Sequence, residues 1–187
     1  MVDAIKEFFG HEKYREKKVK QELFDALTNS QDGLYVYDPE FKQRGSKCEN
    51  EPDMLAVRYA GGKPKSIVLI EVKSKWEACE DGTSGLMKHL DGMNYYIKES
   101  PYINNRKQEA QDIISAYKAL NLHNPPMIVP NLEDIKSYEM MIILSDSAVD
   151  YYQDFADVIQ EYIQEHKYNC EIMEWTDTKL LKELFRN

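Results

Sequence analysis

EPDMLAVRYAGGKPKSIVLIEVKSK, Glu51 to Lys75, is the stretch whose reading decides the fold. Met54-Leu55-Ala56-Val57 follows Asp53 and reads as a buried strand. Ser66 to Ile70, dominated by β-branched residues, reads as a second strand running into Glu71. Between them Ala60-Gly61-Gly62-Lys63-Pro64-Lys65 is a turn signal, so the two runs form an antiparallel hairpin. Such a hairpin brings Asp53, Glu71 and Lys73 to one end of a sheet. Glu71 and Lys73 are two apart on one strand and share a face. Two carboxylates at a sheet rim make a site for a hard cation, and the ammonium adds a positive charge beside it. The backbone carbonyl of Val72 offers a third oxygen on the same rim.

With Pro52-Asp53 and Glu71-Val72-Lys73 as its signature, this stretch resembles the PD-(D/E)xK nuclease superfamily. The resemblance implies an α/β, restriction-endonuclease-like αβββαβ core and Mg²⁺-dependent cleavage of phosphodiester bonds, with Mn²⁺ as a substitute. By residue, it implies that Asp53 and Glu71 bind the metal and that Lys73 supports the attacking water. It also implies a further carboxylate from the first helix. Glu16 lies on the same helical stripe as Val19 and Leu23 and is the first choice, with Glu22 second. The competing reading of both glutamates is pairing with neighbouring lysines such as Lys20. The competing reading of the whole stretch is an ordinary hairpin with Lys73 and Lys75 facing water.

Further along, Lys75 shares a face with Lys73 and is a candidate phosphate contact. Lys88 and His89 open the helix after the site loop. Lys88 is read as a nucleic-acid contact and His89 as a helix-surface histidine. That helix, GLMKHLDGMNYYI, lacks the Gln-x-x-x-Tyr pair of the recombination-type exonucleases. The three cysteines do not match the four-cysteine arrangement of the CRISPR-associated exonucleases in the superfamily.

Composition sets the remaining bounds. The chain has 187 residues, 42% hydrophobic and 30% charged, enough for a single domain over 1–187 with a substantial core. Its longest apolar runs, near Ser66–Ile70 and Met140–Leu144, are too short to span a bilayer, and the charged N-terminus lacks a signal-peptide core. Cys48, Cys79 and Cys170 are odd in number and without C-x-x-C spacing. They are expected as free thiols of a cytoplasmic protein rather than zinc ligands.

The net charge of −9 works against nucleic-acid affinity, but it is unevenly spread. Residues 1–100 carry 16 basic and 18 acidic groups, a net of −2, against 8 and 15, a net of −7, in 101–187. Lys13, Arg15, Lys17, Lys18 and Lys20 form a basic cluster, of which Lys17 and Lys18 are candidate phosphate contacts. The 13 tyrosines read as packing residues with exposed hydroxyls rather than base-stacking platforms.

The expected order is a helix over Glu12–Asn29 and a strand over Leu34–Tyr37, followed by a polar loop and the hairpin. Helices follow over Gly85–Glu99, with Leu86, Leu90, Met93 and Ile97 inward, and over Arg106–Leu122, with Ala110, Ile113, Ile114, Tyr117 and Leu120 on one side. A strand over Met140–Leu144 then runs into Asp146 as the cap of the next helix. A helix over Ala148–His166 that buries Val149, Tyr152, Phe155, Ile159 and Ile163, a strand over Glu171–Trp175 and a helix over Lys179–Phe185 complete the chain. This is a mixed central sheet with one inserted helix and a C-terminal strand and helix. The leading function is a metal-dependent nuclease, DNA favoured over RNA, of the kind used in restriction, repair or phage defence. A homodimer or larger complex is compatible with it. The alternative is a noncatalytic nuclease-like fold acting as an interaction module, supported by the acidic balance.

Overall fold

The computed structural model describes residues 12–27, 33–42, 51–80, 85–123, 125–126, 129, 131 and 134–175, with the side chains of 12–16 outside that description. Strand β2 (Met54–Ala60) turns through Gly61-Gly62 into β3 (Lys63–Lys73). Both glycines have positive φ, 59° and 70°, which suits a tight hairpin whose twist matches its strands. The register pairs Met54 with Ile70 and Arg58 with Ser66, then skips Lys65 so that Tyr59 meets Pro64. This extra residue accommodates the missing Pro64 N–H, and the Lys65 carbonyl accepts the Lys136 N–H instead.

Strand β1 (Gly33–Asp38) pairs antiparallel with β2. Strand β4 (Ser137–Leu144) pairs parallel with β3, and β5 (Cys170–Glu174) pairs parallel with β4. The result is a five-stranded mixed sheet in the order β1-β2-β3-β4-β5. Alternation along β3 sends Val68, Ile70 and Val72 to one face, against α1 (Glu12–Leu27) through Val19, Leu23, Phe24 and Leu27. Ile67 and Leu69 point the other way, under α2 (Leu86–Glu99), α3 (Asn105–Leu120) and α4 (Ser147–Glu165). Both faces are covered, so β3 reads as a nearly unbroken apolar run.

The α/β class with a mixed sheet and the extra helix α3 agree with expectation. In α2 Leu86, Leu90 and Met93 are buried and Ile97 packs against the core as expected, with Tyr96 fully buried beside them. Two stripes depart from expectation. In α3 the expected core residue Leu120 is 68% exposed, because the helix ends at the left-handed Asn121 and Leu120 lies past the covered turns. Phe155 of α4 has non-helical φ/ψ (−120°, 15°), which shifts the stripe, so that it is 41% exposed instead of buried. Its ring meets Trp76 and Tyr151. Asp146 does not cap α4 through its side chain; it takes φ 49° and ψ −133°. The expected C-terminal helix over 179–185 lies outside the described residues. Among the described residues no helix is long and apolar enough to cross a membrane.

Candidate active site

One step beyond the Met54–Ile70 pair, Asp53 stands across from the end of β3. Its N–H donates to the Ile70 carbonyl at 2.8 Å, and its own carbonyl accepts the Phe41 N–H at 3.1 Å. That clamps the backbone between the exit of β1 and the centre of the sheet. The carboxylate then turns along the rim, where Oδ2 accepts the Val72 N–H at 2.9 Å. In an extended strand the N–H and C=O of one residue point to the same side, so the Val72 carbonyl faces the Asp53 side too. This is the place the sequence gives to Val72.

Oδ1 of Asp53 accepts a charged hydrogen bond from Lys20 Nζ, which reaches over from α1. Burial pushes the Asp53 carboxyl up, and the negative charge of Glu71 pushes it further; Lys20 and the Val72 N–H oppose them, for a net value of about 6.

Glu71 is 4% exposed. Its Oε1 accepts from Lys73 Nζ at 2.9 Å, and His89 Nδ1 lies 3.0 Å from the same oxygen. The His89 approach is not aligned as an N–H···O bond, so it is a close electrostatic contact. Burial raises the Glu71 carboxyl, but the contacts with His89 and Lys73 outweigh it and hold the group below the usual carboxylate range. Oε2 is buried and has no hydrogen-bond partner among the described residues. An unsatisfied buried carboxylate oxygen is costly, and a cation is one way to satisfy it.

Asp53, Glu71 and Lys73 are thus brought to one rim, with Val72 between them. Lys73 is 6% exposed and not a water-facing strand end, because its ammonium folds back onto Glu71 beneath α2. Its charge also acts on Cys79, whose thiol burial pushes to about 11, so Cys79 is no ready nucleophile. Lys75 follows the end of β3, half-buried, at the start of the short turn Trp76–Ala78. Lys88 is exposed in the first turn of α2, and Lys17 and Lys18 are exposed on α1. Lys18 lies 3.4 Å from Glu22 as a surface pair, the lysine pairing that is the competing reading of this glutamate. Glu16 sits one turn before Lys20 in α1, and its side chain lies outside the described residues.

Two site residues were missed. His89 is not a surface histidine; its side chain is 12% exposed and reaches the buried carboxylate. Its spacing from Leu86 (i+3) and Met93 (i−4) places it on the inward side of α2. Lys20, read as part of a basic cluster and as a partner for neighbouring glutamates, lies three residues before Leu23 on the covered stripe of α1.

Among the described residues no group of three or more His, Cys, Asp or Glu side chains converges on one point. Mg²⁺ commonly takes one or two carboxylates and keeps several waters, so Asp53, Glu71 and the Val72 carbonyl fit it as hard oxygen donors. Comparison with protein-family models, curated proteins and solved structures finds no match to this chain.

Proposed function

We propose that the chain is a metal-dependent nuclease, hydrolysing phosphodiester bonds at the Asp53–Glu71–Lys73 rim, with DNA as the favoured substrate. The observation that carries this reading is the pair of carboxylates at one strand end, one of them with a buried oxygen that lacks a partner among the described residues. The order helix, three antiparallel strands, helices, parallel strand also accords with a restriction-endonuclease-like core. Asp53, Glu71 and the Val72 carbonyl would hold Mg²⁺ or Mn²⁺, which supplies Lewis-acid charge neutralisation to a phosphate when bound. Lys73, already positioned by Glu71, hydrogen-bonds the attacking water or the phosphate oxygen and stabilises the charge that builds there. Phosphate-binding roles fall to Lys75, Lys88, Lys17 and Lys18.

A second reading has its own support. The Lys20 ammonium already faces Asp53, a neutralised carboxylate that suits a noncatalytic nuclease-like interaction module.

Cleavage assays on single- and double-stranded DNA and on RNA, with Mg²⁺ and Mn²⁺, separate the two. Lys73→Met should slow cleavage on the order of 10²–10⁴-fold. Methionine keeps the buried volume, but Glu71 loses its closest cation, so the variant is compared at a temperature where melting shows both proteins folded. Asp53→Asn should be at least as damaging and Glu16→Ala milder. Equal cleavage by wild type and Lys73→Met places the activity elsewhere. No cleavage of any substrate with either metal favours the noncatalytic reading.

A further inference from the structure

We propose that His89 is a positioning residue for the metal: with Lys73 it occupies one oxygen of Glu71 and leaves the other, Oε2, to meet the cation. The inference rests on the nuclease reading of the site and goes beyond it by giving the two oxygens separate tasks. Lys73 Nζ lies 2.9 Å from Oε1, and His89 Nδ1 lies 3.0 Å from the same atom. A carboxylate offers about four lone-pair sites over two oxygens, yet both groups fall on one of them. Oε2 is buried and has no hydrogen-bond partner among the described residues. The uneven loading turns one oxygen into an anchor and the other into a ligand.

The helix fixes where the ring stands. His89 lies in the first turn of α2, and its N–H donates to the Gly85 carbonyl at 3.1 Å. The Leu86 N–H donates to the Cys79 carbonyl at 3.1 Å, which ties the start of α2 to the chain that leaves β3. Leu86, Leu90 and Met93 are buried in the core beneath the helix. Lys73 holds Glu71 from a flexible four-carbon stem, whereas the imidazole is short and rides on a docked helix. His89 Nδ1 is buried and makes no aligned hydrogen bond in this ring orientation. The χ2 well of an imidazole is broad, so a rotation of the ring brings an Nδ1–H onto Oε1 without moving α2. Partners of this kind, which orient a metal ligand from behind, commonly govern metal affinity by about 10–100-fold.

The test is Mn²⁺ binding to the full chain, by electron paramagnetic resonance in the absence of nucleic acid, at a temperature where melting shows every protein folded. His89→Leu keeps an apolar body but has no donor, and should bind Mn²⁺ about tenfold or more weakly than wild type. In His89→Asn the amide nitrogen takes the place of Nδ1, and most of the loss should be recovered. A role in helix packing alone would give no such rescue. Glu71→Gln should weaken binding at least as much as His89→Leu, because it removes the ligand that His89 serves. His89→Met replaces His89→Leu if the latter does not fold. The inference is overturned if His89→Leu binds as tightly as wild type or tighter, or if His89→Asn loses as much as His89→Leu. In either case weaker binding by Glu71→Gln leaves the nuclease reading standing. If Glu71→Gln binds like wild type, or no protein of the series binds Mn²⁺, the inference and the metal-dependent reading both fall.

Discussion

Asp53 holds its proton up to about pH 6 because burial and the neighbouring Glu71 charge outweigh Lys20 and the Val72 N–H. An unfolded aspartate releases it near 3.8. Between those values the folded chain binds more protons than the unfolded one, so this group's contribution falls as pH rises from about 4 to 6. Acidification from pH 7 to 5 should therefore stabilise wild type relative to Asp53→Asn, by about 1 kcal/mol. Urea unfolding of both proteins at three pH values reads the difference, and parallel curves would count against it. Glu71 acts in the opposite sense, since its carboxyl is held down, and only below about pH 4.5. Its loss of charge there removes the anchor for Lys73 and His89 together.

At the scale of elements, the hairpin turn sets the site. The register from Ala60–Lys63 to Met54–Ile70 runs the length of β2, and a slip of one residue would turn Glu71 and Lys73 to the opposite face. Gly61 and Gly62 hold that turn at positive φ, with nothing within 4 Å of an added Cβ. The cost of a side chain there is therefore backbone strain alone. Gly62→Ala should lower stability by about 1–2 kcal/mol, and Gly61→Asn by less, since Asn tolerates this region. Denaturant midpoints check the order, and a neutral Gly62→Ala would show that the turn rearranges. The same scale accounts for how α4 departs from its expected stripe. Trp76, just past the end of β3, donates its N–H to Ser147 Oγ at 3.0 Å and packs its ring on Tyr151 and Phe155. Phe155 answers to that ring instead of to the core.

Over the whole molecule, charge decides how an anionic partner approaches. The exposed line Asp150, Asp154, Asp157, Glu161 and Glu165 makes the outer side of α4 acidic, whereas α1 presents Lys17 and Lys18 on the other layer. On the proposed nuclease reading, nucleic acid should meet the α1 side of the rim. Lys17→Glu with Lys18→Glu should weaken binding and reduce the salt slope by about one for each lysine that touches phosphate. Affinity measured across a salt series tests this, and an unchanged slope would mean that α1 does not touch phosphate. Lys18 already shares its charge with Glu22, so Lys17 should carry the larger part.

The sequence by itself determined the strands of the hairpin, the helices that cover the sheet and the meeting of Asp53 with the end of β3. Each rests on local periodicity and turn chemistry, which a short window contains. Tertiary structure decided what surrounds those carboxylates. Lys20 arrives from α1 and His89 from α2, on opposite faces of the sheet and far from Glu71 in the chain. Their approach depends on how two helices dock, and no local pattern encodes that. The burial of Lys73 follows from the same docking. A strand-end lysine with no cover would face water, and only the helix layer over β3 folds it onto Glu71.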